Sequence, residues 1–155
     1  MGKSTVTSTE EGGVVKRNPD FVIGNPEAPY LLRWFLIPKN RFFNIYLHCF
    51  LRSDNDVPHD HPWGSLSIAL KGVAEEERLV SPRHRRYRRI SAGTILYRQA
   101  TYRHRMIIGE PFWTLFLTGP ITREWGFWCD RGSRFVPWQR FTTPEDKGQV
   151  GRGCD

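Results

Sequence analysis

The sequence predicts a single all-β domain, and two observations carry that prediction. Short stretches rich in β-branched and aromatic residues recur between Gly, Pro, Ser and Asp turns, a spacing that suits a sandwich or a barrel. The composition agrees, because 6 Trp and 10 Phe punctuated by 14 Gly and 11 Pro favour short strands over long helices. A chain of 155 residues can bury one hydrophobic core and is too short for two.

Taken in order, residues 1–20 are rich in Ser, Thr, Gly and charge and lack the apolar surface to order themselves, so a loose arm is expected. The folded barrel is expected over residues 21–141. Within it, strands are expected at 30–36, 42–51, 64–70, 73–80, 87–90, 94–97, 102–108, 113–117 and 124–129. Trp113, Leu115 and Leu117 alternate with Thr114, Phe116 and Thr118, and apolar groups in both sets suit a strand covered on both faces. Residues 142–155, with Pro144, Gly148, Gly151 and Gly153, read as a second loose end.

No apolar run approaches the roughly 18 residues of a spanning helix, and the first twenty residues are polar, so a cytoplasmic protein without membrane attachment is expected. Cys49, Cys129 and Cys154 are odd in number and lack zinc-finger spacing, which predicts buried free thiols. The formal charge is +7, and residues 78–105 hold nine Arg without one Asp or Glu. Such a stretch either attracts an anion, whether small molecule or nucleic acid, or is a solvated strand pair; the second is the commoner meaning.

The segment Pro58-His59-Asp60-His61-Pro62-Trp63 carries the most chemistry. On an extended strand, residues two apart share a side, so His59 and His61 present their imidazoles to one space while Asp60 points away. The flanking prolines remove backbone donors, which predicts a place at the rim of a sheet. A His-x-His pair alone is weak evidence, since surface histidines reach that spacing by chance. More residues follow it: Gly72 after a strand, Glu75, Glu76 and Glu77 on the returning strand, Ser91-Ala92-Gly93 at a turn, and His104 on the strand after.

With these residues assembled, the sequence resembles the cupin superfamily, whose barrel is a double-stranded β-helix or jelly roll. His59, His61 and Gly72 look like its first motif, with Ser65 where that motif has Glu; Ser91, Gly93 and His104 look like its second, with Ser91 replacing Pro. The block from His59 to Trp63, with Gly119-Pro120, Arg123 to Cys129 and Pro137-Trp138, also resembles small cupin-like proteins of phages and bacteria. The resemblance implies one divalent metal ion held by His59, His61 and His104. Fe(II) is the expected ion because three-His cupins often use it, with Mn, Ni or Zn as alternatives, since imidazole accepts them all. A barrel that keeps these histidines for packing alone is the competing reading.

Several side chains are candidates for work beside such a metal. Glu124 is the candidate catalytic residue, as a general base or as the acceptor for a ligating histidine's other N–H, although an ordinary ion pair is the plainer reading. Tyr46 and His48 share a strand face and are candidates to line the cavity, His48 being more often a core histidine. Trp63 is a candidate to stack on a substrate ring. Arg98 is the candidate to grip a substrate carboxylate or phosphate. Arg103 and Arg105 flank His104 and point away from its face. The leading functional expectation is a three-His, Fe(II)-type oxygenase of a small, candidate anionic molecule. The alternatives are a binding module for a nucleotide, sugar phosphate or nucleic acid through the Arg-rich hairpin, and a homodimeric scaffold.

Overall fold

The computed structural model describes residues 17–145 and 148–155. Residues 1–16 of the expected arm lie outside the described residues. Six strands form one antiparallel sheet: β1 (Phe21–Asn25), β2 (Ala28–Phe35), β3 (Asn44–Phe50), β9 (Phe112–Thr118), β4 (Ser65–Lys71) and β7 (Ile95–Arg98), adjacent in that order. Facing it are β6 (His84–Ser91), β5 (Val73–Ser81) and β8 (His104–Ile108), and the hairpin β10 (Gly126–Cys129) with β11 (Arg134–Pro137). A single helical turn, α1 (Trp138–Phe141), follows. The sequence expectation omits β1 and β11. Both are short, and each carries a residue that reads as a strand breaker, Gly24 in one and Pro137 in the other.

His59 joins β8 to β10. It forms isolated antiparallel bridges with His104 on one side and Phe127 on the other, so the second sheet runs β6-β5-β8-His59-β10-β11. The expected rim position is therefore corrected for His59, which lies inside a sheet. The segment's prolines fit there because only their carbonyls are used: Pro58 accepts from the Trp128 N–H and Pro62 from the Thr122 N–H.

The chain passes from the first sheet to the second at Gly72, whose φ of +84° is left-handed and whose Cβ would stand 2.5 Å from the Pro111 carbonyl oxygen. Between the sheets lies a core of Ala69, Ala74, Ile90, Leu96, Met106 and Phe112. A second cluster, Phe127, Cys129, Val136 and Phe141, backs the β10–β11 hairpin, with Phe127 stacked on Phe141 at 3.7 Å between ring centroids.

The end of the chain differs from the expected loose tail. Gly151 and Gly153 donate backbone hydrogen bonds to the Phe141 carbonyl, Thr142 bridges Val150, and Cys154 is disulfide-bonded to Cys129. That bond corrects the expectation of three free thiols. Only Cys49 is free, and it is buried. Sequence spacing could not show the pair, because a 25-residue separation closes only once β11 and α1 have turned the chain back.

Cross-strand register also sorts the large sheet's two faces. Leu32 and Trp34, Ile45 and Leu47, Trp113, Leu115 and Leu117, Leu66 and Ile68, and Ile95 and Tyr97 share the outer face of five adjacent strands. Trp34 stacks on Trp113 there, while Ile95 and Tyr97 are 64% and 71% exposed. No helix is long and apolar enough to cross a membrane among the described residues.

Candidate metal centre

The backbone sets the three imidazoles before any metal is considered. His59 and His104 exchange both N–H···O bonds, at 2.9 Å each, so they form a hydrogen-bonded antiparallel pair with side chains on one side of the sheet. His61, two residues on, falls on the same side. Asp60 alternates away, accepting from the Gly126 N–H and the Trp128 indole at 3.0 Å each and pairing with Arg123 at 2.8 Å. It pins the His-x-His segment to β10 from behind.

The result is a group of three donor nitrogens within 4.8 Å of one another. His61 Nε2 and His104 Nε2 are 3.0 Å apart. That separation matches about 3 Å between two nitrogens bound at right angles to an ion with bonds of roughly 2.1 Å. His104 donates from Nδ1 to Glu76 Oε1 at 2.9 Å, which fixes the tautomer and leaves the Nε2 lone pair facing the other rings. Burial pushes His104 down to about 4 and His61 well below its ordinary value, so both imidazoles are neutral at pH 7, the form a cation requires. The donor set, tautomer and charge state all fit a divalent metal ion.

Glu76 is the centre of the supporting network. It lies on β5 opposite Met106 and one diagonal step from His104, and only 1% of it is exposed. Arg98 reaches Oε1 at 2.6 Å, Tyr102 reaches Oε2 at 3.1 Å, and Arg88 pairs with Oε2 from the neighbouring strand. Burial opposes ionisation, yet the His104 hydrogen bond and the Arg98 charge outweigh it and hold the carboxyl below the usual range.

The rings open on a cavity of about 420 Å³. Trp63 stacks on His61 with 4.7 Å between centroids and an 8° interplanar angle, and Phe116 and Trp125 add apolar wall. Tyr46 and His48 project from β3 on the opposite wall, so both line the space that holds the histidines.

No family model matches the sequence, and no curated protein matches it. Solved structures do match. A candidate mannose-6-phosphate isomerase from Ralstonia eutropha JMP134 superposes with a TM-score of 0.51 at 19% identity, covering 72% of this chain and 99% of that one. An uncharacterized conserved protein with a double-stranded β-helix domain from Klebsiella pneumoniae gives 0.50 at 15%, covering 70% and 90%. Fe(II)-HppE with the alternative substrate (S)-1-HPP gives 0.52 at 13%, with 68% of this chain spanning 60% of that one. The barrel is a double-stranded β-helix, the cupin fold. At these identities the likeness carries the architecture and leaves the reaction to the residues.

Within the cupin barrel two sequence candidates are corrected. Glu124 is exposed and outside the cavity, because the chain loops out between Thr122 and β10; the carboxylate that receives the His104 N–H is Glu76. Arg98 does border the cavity, but its guanidinium is engaged by Glu76, which it shares with Arg88, and by Ser67 Oγ at 2.8 Å, so several of its donors are already used. Ser65, at the Glu position of the cupin motif, sits on β4 outside the ligand group.

The Arg-rich stretch is partly spoken for as well. Arg85 and Arg105 pair with Glu77 at 2.5 and 2.7 Å, Arg88 and Arg98 with Glu76, and Arg103 lies 3.4 Å from the Trp128 ring centroid. These partners come from strands beside the run, which is why the run itself contains no acid. The expected field for nucleic acid is thereby reduced at its core.

Proposed function

We propose that this protein is a metal-dependent cupin that acts on a small molecule, with Fe(II) as the resident ion and oxygenation as the reaction class. The observation that carries the reading is the convergence of His59, His61 and His104 on one wall of the cavity between the sheets. A divalent ion held by three neutral imidazoles supplies a Lewis-acidic centre with positions left for substrate and dioxygen. The chain's own part is to hold His104 through Glu76, to fix the His61 ring under Trp63, and to limit water with Phe116 and Trp125. The Fe(II) in the structurally similar Fe(II)-HppE supports iron over the other ions.

The test is elemental analysis of protein purified without a His tag under anaerobic conditions, followed by oxygen uptake against a panel of small acids. One equivalent of iron per chain with substrate-dependent uptake is expected. Turnover with another metal and no oxygen consumption would move the reading to an isomerase or lyase.

For the expected homodimer the outer face of the large sheet is the candidate surface, where apolar side chains from five strands lie side by side with Lys71 at one end of β4. Sedimentation equilibrium should return twice the chain mass, and Leu115→Glu should return a monomer. A wild-type monomer at about 100 μM would remove this assignment.

A further inference from the structure

Across the cavity from the three histidines, one cross-strand row is short of partners. Arg33 on β2 is opposite His48 on β3, which is opposite Thr114 on β9, and all three border the cavity. Arg33 Nε donates to His48 Nε2 at 2.9 Å, and its guanidinium lies 4.6 Å from the Tyr46 ring centroid. Among the described residues, no carboxylate stands within 4.0 Å of that guanidinium. Arg98, by contrast, has the Glu76 carboxylate as an ion-pair partner.

The neighbours repeat the pattern. An imidazole that accepts at Nε2 carries its proton on Nδ1 when neutral, and burial keeps His48 neutral by pushing its pKa well down. Among the described residues, His48 Nδ1 is buried without a hydrogen-bond partner, and so is Thr114 Oγ1. A partly buried cation without a counter-ion, a buried N–H without an acceptor and a buried hydroxyl without a partner are each costly. Their coincidence in one row on one cavity wall has a single economical explanation, an acceptor-rich anion that satisfies all three.

We propose that Arg33, His48 and Thr114 form the receptor for a carboxylate on the substrate, opposite the metal-ligating wall. The arginine fork grips two carboxylate oxygens, while the imidazole N–H and the hydroxyl offer further donors. Within this row one guanidinium stands with two neutral donors, which suits a carboxylate; Lys39 and Arg52 also border the cavity, so the phenyl phosphate probe decides between a monoanion and a dianion. The assignment deepens the proposed function by naming the substrate class, a small carboxylic acid whose other end meets the histidine wall. It rests on the cavity being the substrate site and does not require the metal.

The test uses benzoate, neutral benzamide and phenyl phosphate as probes. Each is titrated by calorimetry into the full chain, both chelator-stripped and metal-loaded. Benzoate should bind at least about tenfold more tightly than benzamide in both forms, consistent with a charge-assisted pair. Arg33→Gln, which keeps a donor for His48, should erase that preference, and Arg33→Lys should retain part of it; metal content should stay unchanged in both. Should Arg33→Gln fail to fold, Thr114→Val and His48→Phe carry the same test, each lowering benzoate affinity without moving benzamide. Equal binding of benzoate and benzamide by the wild type, persistence of the preference in Arg33→Gln, or tighter binding of phenyl phosphate than of benzoate would each overturn the proposal. A protein that takes up no metal yet shows the Arg33-dependent preference would sink the metal reading and leave this one standing.

Discussion

Replacing His61 with Ala should cut metal affinity by at least about 100-fold while leaving the barrel folded, a larger loss than the 10–100-fold that follows removal of a ligand's outer partner. The expectation comes from the donor count. Three nitrogens lie within 4.8 Å of one another, and His61 supplies one member of the 3.0 Å pair. Two imidazoles without the third leave an ion more exposed to competition from water and chelator. The fold should survive, because the backbone of this segment is anchored by other groups: His59 exchanges two hydrogen bonds with His104, and Asp60 receives the Gly126 N–H. Titration against a chromophoric chelator, alongside thermal melts with and without metal, checks both halves. Metal should raise the wild-type melting temperature and leave that of the variant unmoved. A His61→Ala protein that still holds one tightly bound equivalent of metal would show that the three rings do not act as one site.

The pattern of what the sequence revealed follows the range of the forces involved. The clustering of His59, His61 and His104 is legible because a two-residue strand period puts the first two side chains on one side by local geometry, and the motif resemblance supplies the third. Glu76 is not. It sits in a run of three glutamates, and alternation says only that Glu76 opposes its two neighbours, not which face meets His104; that choice depends on the β5–β8 register. Arg98 was misjudged for the same reason, because its ion-pair partner lies 22 residues away on another strand. Arg33 did leave a local signal. It alternates with Leu31 and Phe35, so a charge stands on an otherwise apolar strand face, which is the mark of a functional wall rather than a solvated one. The rim expectation for the His-x-His segment treated proline as a missing donor and overlooked that its carbonyl still accepts, as those of Pro58 and Pro62 do.

Glu76→Gln should destabilise the protein by about 3–5 kcal/mol at pH 7 and lower metal affinity by 10–100-fold, two effects with separate causes. The stability loss arises because Arg98 is 4% exposed and would keep its charge without a counter-ion. The affinity loss arises because His104 would no longer donate Nδ1–H to an anion, so its ring orientation and basicity both suffer. The pH dependence has a definite sign. Glu76 has its carboxyl pKa depressed in the fold, so its contribution is full above its ordinary value of 4.5 and fades as pH falls below it. Urea denaturation of the metal-free proteins should therefore show the wild type well above the variant at pH 7, with the gap narrowing only as pH falls below about 4.5. Adding Arg98→Met to Glu76→Gln separates the two causes. Removing both charges should restore much of the stability, since a buried pair replaced together costs less than a pair broken, whereas the metal affinity should stay low because His104 still lacks its carboxylate. If the double variant recovered metal affinity along with stability, Glu76 would matter to the centre only as ballast for Arg98, and the orientation of His104 would have to come from the backbone bridge to His59 alone.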